Sequence, residues 1–145
     1  MAYPVQRVTL ITLGVEDIPR ARAFYEALGW VPVEAQEAVV FYQMGGLALG
    51  LFGRAALAAD QGRPGAVLGT GAVTLAQNFD AEADVDAAYQ AALAAGAVAL
   101  KPPERVFWGG YSGYYADPDG HVWEVAMNPF WSLDEAGALQ IPSPA

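Results

Sequence analysis

This 145-residue sequence predicts an α+β fold made of two copies of one strand–helix–strand–strand unit. Three observations carry that prediction. β-branched runs alternate with a helical stripe in the order strand, helix, hairpin. The same order restarts after residue 72. The composition, 54% hydrophobic against 16% charged, is that of a packed domain and excludes a disordered chain.

The first module occupies residues 1–53. Its opening strand is "RVTLITLGV", and its helix lies in "EDIPRARAFYEALGW". Asp17 is placed to cap that helix, Pro19 is tolerated in its first turn, and Gly29 ends it. Ile18, Ala21, Tyr25 and Leu28 recur at helical spacing and define the buried stripe, with Phe24 beside them. A short extra strand is placed at Val31 to Val33. "VVFYQM" and "LALGLF" then flank Gly45-Gly46, a hairpin signal in which both glycines are expected at positive φ.

Residues 54–72 read as a connector, with a short helix at "RAALAAD" followed by the turn-rich "QGRPG". The second module, 73–129, takes its first strand from "AVTLAQNF" and its helix from "DVDAAYQAALAAG", ended by Gly96. A short strand "AVAL", a loop "KPPERVFWGG" and a hairpin of "YSGYYA" and "HVWEV" complete it. The hairpin turns on "DPDG", with Pro second and Gly fourth, as a type I turn favours. Aligned without gaps, Leu10 to Gly29 falls on Gln77 to Gly96. The tail, 130–145, is expected to pack its aromatics on the body and then fray.

Charge narrows the range of partners. Sixteen acids against seven bases give a net −9, with no basic patch to neutralise phosphates, so nucleic acid is not an expected partner. The mean field favours neutral or cationic small molecules. Gly, Pro or charge interrupts every apolar run before membrane-spanning length, and "MAYPVQRVTL" has no secretory h-region. The absence of cysteine removes disulfides, thiolate metal sites and cysteine nucleophiles, which fits a cytoplasmic protein. No GxSxG, P-loop or HExxH pattern occurs, and "GLALGLFG" lacks dinucleotide spacing.

Two stretches, "VEDIPRARAFYEALGW" and "YYADPDGHVWEV", stand at a spacing that resembles the vicinal oxygen chelate superfamily. That superfamily takes in glyoxalases, bleomycin-resistance proteins, fosfomycin-resistance enzymes and extradiol dioxygenases. The resemblance covers Val5 to Pro129, and "VFWGGYSGYYADPDGHVWEVAMNPFWSLDE" is similar to a bacterial subgroup described only as glyoxalase-like. It implies two βαβββ modules whose mixed sheets curl into a cup with helices outside, and a homodimer. In enzymatic members, His, Gln or Glu at four strand positions hold a divalent metal that two substrate oxygens chelate. Carried over position by position, those four become Leu10, Gly50, Gln77 and Glu124. Leucine and glycine cannot ligate. The remaining two oxygens suit at most a weakly held, hydrated divalent cation, so no tight cofactor is expected.

Pairing the second hairpin about a four-residue turn sets Ala116 against His121, Tyr115 against Val122 and Gly113 against Glu124. Glu124 then shares a face with Tyr111 and Tyr115, while Trp123 and Tyr114 turn to the helices. Gly113 would leave space above the carboxylate. The expected cup lining is Leu10, Thr12, Phe41 and Gln43 from the first module, with Leu75, Gln77, Phe79, Tyr111, Tyr115 and Glu124 from the second. Glu124 is then a general base, a ligand hydrogen-bond acceptor, or a relic satisfied by its neighbours; burial among aromatics would raise its pKa. Gln77 is a ligand contact or a structural amide, and Trp108 a lid anchor or a rim residue. His121 has the opposite parity and is expected to brace the turn. The function expected is small-molecule binding without a tight metal. The alternatives are a lyase, isomerase or dioxygenase that is metal-dependent or uses Glu124 as base, and a structural subunit with a vestigial cup.

Overall fold

In the computed structural model of the protein, residues 5–143 are described; the fraying expected at the chain's end falls outside them. The first module runs β1 (Leu10–Val15), α1 (Ile18–Ala27), β2 (Glu34–Ala35), β3 (Val39–Met44) and β4 (Leu47–Gly53). A short helix α2 (Arg54–Asp60) and an extended connector lead to β5 (Thr74–Asn78), α3 (Glu82–Ala94), β6 (Val98–Arg105), β7 (Tyr111–Ala116) and β8 (Val122–Met127). A small hairpin of β9 (Ser132–Leu133) and β10 (Leu139–Gln140) ends the described chain. Each module is a four-stranded mixed sheet, ordered β1-β4-β3-β2 in sheet A and β5-β8-β7-β6 in sheet B. In each, the first strand runs parallel to the last and the remaining pairs are antiparallel.

Local chemistry sets these elements. Asp17 caps α1, accepting the Arg20 N–H at 3.1 Å, and Pro19 lies in the first turn. The extra strand is β2, at Glu34–Ala35 and not at Val31 to Val33. Of the Gly45-Gly46 pair only Gly45 has positive φ, as in a hairpin turn that needs it at the first central residue alone. α3 begins at Glu82, two residues earlier than Asp84, with Ala81 as an N-cap that offers no side-chain bond. β6 continues through Lys101-Pro102-Pro103-Glu104, where the sequence predicts a loop. The second of two register irregularities, between Lys101 and Glu104, takes up both prolines, and β6 is an edge strand, where a missing N–H costs no ladder bond.

One core joins the two modules. Val40, Tyr42, Leu49 and Leu51 of sheet A and Tyr115, Trp123 and Val125 of sheet B are buried against Phe24 and Tyr25 of α1 and Val85 and Tyr89 of α3. Fully burying a side chain such as Leu51 or Val125 stabilises by roughly 1.5–3 kcal/mol. Tyr25 is the hub. It stacks on Trp30 (centroids 5.1 Å apart), donates to buried Asp117 Oδ2 at 2.6 Å, and accepts the Trp123 indole N–H at 3.1 Å.

The "DPDG" turn of the second module docks on the β1–α1 junction of the first. Asp119 Oδ1 accepts the Glu16 N–H at 2.8 Å and pairs with Arg20 at 2.9 Å. Arg54 donates to the Asp119 carbonyl at 2.7 Å, and His121 Nε2 lies 2.7 Å from the Gly14 carbonyl. Asp117 Oδ1 accepts the N–H groups of Asp119 and His121 and shapes the turn from within. No helix among the described residues is long and apolar enough to cross a membrane.

Candidate functional site

Each sheet gives one face to the core and leaves the other open. The pairings Ala76↔Glu124 and Tyr114↔Glu124 put Ala76, Tyr114 and Glu124 together on the open face of sheet B. The C-terminal segment roofs part of that face. Phe130, Trp131 and Leu139, with Trp108 from the β6–β7 loop, wall a half-open chamber of about 510 Å³ over Ala76, Asn78, Glu124 and Ala126. Asn128 also lines it, and its Oδ1 accepts the Phe130 N–H at 2.9 Å, fixing where the aromatic pair leaves β8. Asp134 accepts the N–H groups of Ala136 and Ala138 and holds the β9–β10 hairpin in shape.

Trp108 owes its position to the glycines after it. A Cβ on Gly110 would stand 1.7 Å from the Trp108 ring, and one on Gly109 3.1 Å from the Phe130 ring. The loop closes on itself through Val106 N–H to the Gly110 carbonyl at 3.0 Å and Gly109 N–H to the Val106 carbonyl at 2.9 Å.

Glu124 is half-buried, and Tyr114 lies opposite it. Burial raises the Tyr114 hydroxyl above the ordinary tyrosine value, and the neighbouring Glu124 carboxylate raises it further, so the phenol stays protonated at neutral pH. The chamber therefore presents a carboxylate, two amide side chains and three aromatic side chains. That set accepts hydrogen bonds from ligand N–H or O–H groups and stacks on planar rings.

The hairpin register differs by one residue from the expected one. Ala116 pairs with Val122, Tyr115 with Trp123 and Gly113 with Val125. The physical reason is Gly120: at φ +92 it serves as the extra residue after the type I turn, and the Asp117 backbone N–H donates to the His121 carbonyl at 2.9 Å. A one-residue slip sends every side chain of β7 to the other face. Tyr114 consequently joins Glu124, while Tyr115 is buried in the core and the Tyr111 hydroxyl donates to Asp86 of α3 at 2.7 Å. Gly113 does not open space above the carboxylate. A Cβ there would come within 2.9 Å of the Lys101 carbonyl and 2.8 Å of the Pro103 nitrogen, so it makes room for the β6 irregularity.

Gln77 pairs with core residue Val125, not with Glu124, and lines a small gap with Trp30, Tyr42, Gln43 and Met44; Phe79 and Leu75 pack against the core. Leu10, Thr12, Phe41 and Gln43 do lie on the open face of sheet A, yet neither Leu10 nor Phe41 lines the Glu124 chamber. Trp108 does line it, together with Glu124. His121 braces the turn and ties it to β1. Sequence reasoning missed Ala76, Asn78, Tyr114 and Asn128. It also missed Phe130, Trp131 and Leu139 as chamber walls, although the apolar "NPFWSL" after β8 was a usable signal.

The four positions expected to ligate a metal also change. Leu10 pairs with Ala48 and Thr74 with Val122, each two residues before Gly50 and Glu124, so the repeat partner of Leu10 is Thr74. The set becomes Leu10, Gly50, Thr74 and Glu124. At Gly50 the Phe41 ring occupies the space a side chain would take, 3.0 Å from the place of a Cβ. No cluster of three or more His, Cys, Asp or Glu side chains suited to a metal occurs among the described residues. One carboxylate and one hydroxyl do not make a tight divalent site.

Comparison with known proteins fits this architecture. A model of the Glyoxalase/Bleomycin resistance protein/Dioxygenase superfamily matches residues 7–125. No curated protein matches the chain. The crystal structure of a glyoxalase-related enzyme from Fulvimarina pelagi is similar at 37% identity and TM-score 0.90, over 96% of this chain and 100% of that one. A lactoylglutathione lyase from Agrobacterium tumefaciens is similar at 26% identity and TM-score 0.68, over 90% of this chain and 100% of that one. A glyoxalase/bleomycin resistance protein/dioxygenase family enzyme from Burkholderia phytofirmans PsJN shares the fold at 22% identity and TM-score 0.72, over 82% of this chain and 96% of that one. With two repeated modules of matching strand order and a family model that spans both, the chain belongs to the Glyoxalase/Bleomycin resistance protein/Dioxygenase superfamily.

Proposed function

We propose that this protein binds a neutral or cationic small organic molecule in the Glu124 chamber, without a tightly held metal. The observation that carries the reading is one carboxylate set among aromatic rings: Glu124 shares the chamber with Trp108, Phe130 and Trp131. A cation over an aromatic face gains roughly 0.5–2 kcal/mol, and a charge-assisted hydrogen bond to a carboxylate adds to it. The net charge of −9 raises the local concentration of cations.

The test is a calorimetric titration with benzylammonium and related aromatic amines. Saturable binding that drops at least tenfold in Glu124→Gln is expected, about 1.4 kcal/mol or more. Binding unchanged in that variant, or no binding by any amine, overturns the reading; the latter outcome would favour a structural subunit. A stoichiometric, tightly held divalent ion in protein purified without chelators would also overturn it. A homodimer belongs to the same proposal, with a second copy over the open face of sheet A, where Leu10 is 46% exposed. Light scattering that returns a monomer removes that part.

A second reading is an enzyme of the same superfamily. Two observations favour it: the 37% identity to a glyoxalase-related enzyme, and the pairing of Tyr114 with Glu124 across the hairpin, a phenol and a carboxylate that would serve as proton donor and base. Turnover of lactoylglutathione that is lost in Glu124→Gln would establish it.

A further inference from the structure

A separate cavity of about 520 Å³ lies between α2, the connector after it and β1, which is an end strand of sheet A. Its charge opposes that of the chain. None of the sixteen acidic residues lines it, whereas Arg54, Arg63 and the sole histidine, His121, do.

The two arginines differ from the paired cations. Arg20, Arg22, Lys101 and Arg105 each bridge to a carboxylate. Arg54 donates only to carbonyls, that of Gly14 at 3.3 Å and that of Asp119 at 2.7 Å. Arg63 donates to the amide oxygen of Gln61. Carbonyl and amide oxygens orient a guanidinium without neutralising it, and each arginine keeps donors to spare. Next to them, the backbone N–H groups of Gly69 and Gly71 make no hydrogen bond within the chain among the described residues. The other walls are apolar: Leu57 lies within, and Val67 and Val73, 98% and 68% exposed, stand at the rim. Two unneutralised guanidiniums, free amide donors and aliphatic walls suit an anion with an apolar body.

We propose that this cleft binds a small organic acid, its carboxylate on Arg63 and Arg54 and its body on Leu57, Val67 and Val73. A free phosphate would meet the guanidiniums but leave the aliphatic walls in water, so the organic carboxylate is the class the cleft selects. The site lies apart from the Glu124 chamber and has the opposite charge preference.

The test is an amide NMR titration of the full chain at constant ionic strength, with benzoate, acetate, inorganic phosphate and benzylammonium as probes. Benzoate is expected to shift Gly69, Thr70 and Gly71 saturably, and acetate to bind the same residues more weakly. Benzylammonium is expected to leave them unmoved. Arg63→Gln, whose exposed side chain bonds only its neighbour Gln61, should weaken benzoate at least fivefold while the rest of the spectrum stays folded. Any one of three results overturns the proposal: no saturable shift from either carboxylate, equal benzoate affinity in Arg63→Gln, or phosphate binding in preference to benzoate.

Discussion

Gly110 carries the Trp108 ring directly against its α-carbon, and this contact sets the wall of the Glu124 chamber. Gly110→Ala would place a methyl group 1.7 Å from Trp108 Cζ3, so the ring must swing out. Trp108 is already 36% exposed, so its release is expected to cost about 1 kcal/mol or less in stability. The larger effect is on the chamber: aromatic-amine affinity in Gly110→Ala should fall to the level of Trp108→Ala, with a red-shifted tryptophan emission. Full affinity retained in Gly110→Ala would show that the Trp108 wall plays no part in binding. At this scale Glu124 was legible in the sequence, since a lone carboxylate in an apolar strand stands out. Its partner was not. Tyr114 and Tyr115 are adjacent identical residues, and only the extra residue Gly120, at φ +92, decides which one faces the carboxylate.

Elements fail to announce themselves where a rule about interiors meets an edge. "KPPER" reads as loop because proline has no N–H for a ladder, yet β6 pairs only with β7 and accepts both prolines at its Lys101–Glu104 irregularity. The helices are legible because their apolar spacing repeats over several turns; one end differs, where α3 starts early without a side-chain cap. The β6 irregularity depends on Gly113. Gly113→Ala brings a Cβ to 2.8 Å from Pro103 N and 2.9 Å from the Lys101 carbonyl, both backbone atoms that cannot rotate away. Overpacking of this kind costs roughly 1–3 kcal/mol. Urea unfolding should show the loss as a lower midpoint at unchanged slope, whereas Gly46→Ala, which meets nothing within 4 Å and has no positive φ, should change the midpoint little. Equal midpoints for wild type and Gly113→Ala would mean that the edge strand yields without cost.

Across the whole molecule, two similar sheets share one core because the "DPDG" turn of one module grips the first strand and helix of the other. That turn was legible as a turn, but its role was not, since residues 92 to 107 positions apart in sequence make the contacts. Tyr25→Phe removes the hydroxyl that joins Asp117 to Trp123, leaving a buried carboxylate oxygen and an indole N–H unpaired, at a cost of about 1–3 kcal/mol. The same groups make the fold sensitive to alkali. Tyr25 and Tyr115 are both held above the ordinary tyrosine value, by burial first and then by the Asp117 carboxylate. An unfolded tyrosine titrates near pH 10. Above about that pH the unfolded chain has lost protons that the native state still holds, so stability must fall as pH rises; below it, both states are protonated and these groups contribute no slope. Each such tyrosine adds up to about 1.4 kcal/mol per pH unit to the decline. Urea unfolding measured from about pH 8 to about pH 11.5 should therefore be flat and then steep, with a shallower limb in Tyr115→Phe, which has no hydroxyl to titrate in either state. An alkaline limb equally steep in Tyr115→Phe would show that this hydroxyl ionises in the native state as readily as in the unfolded one.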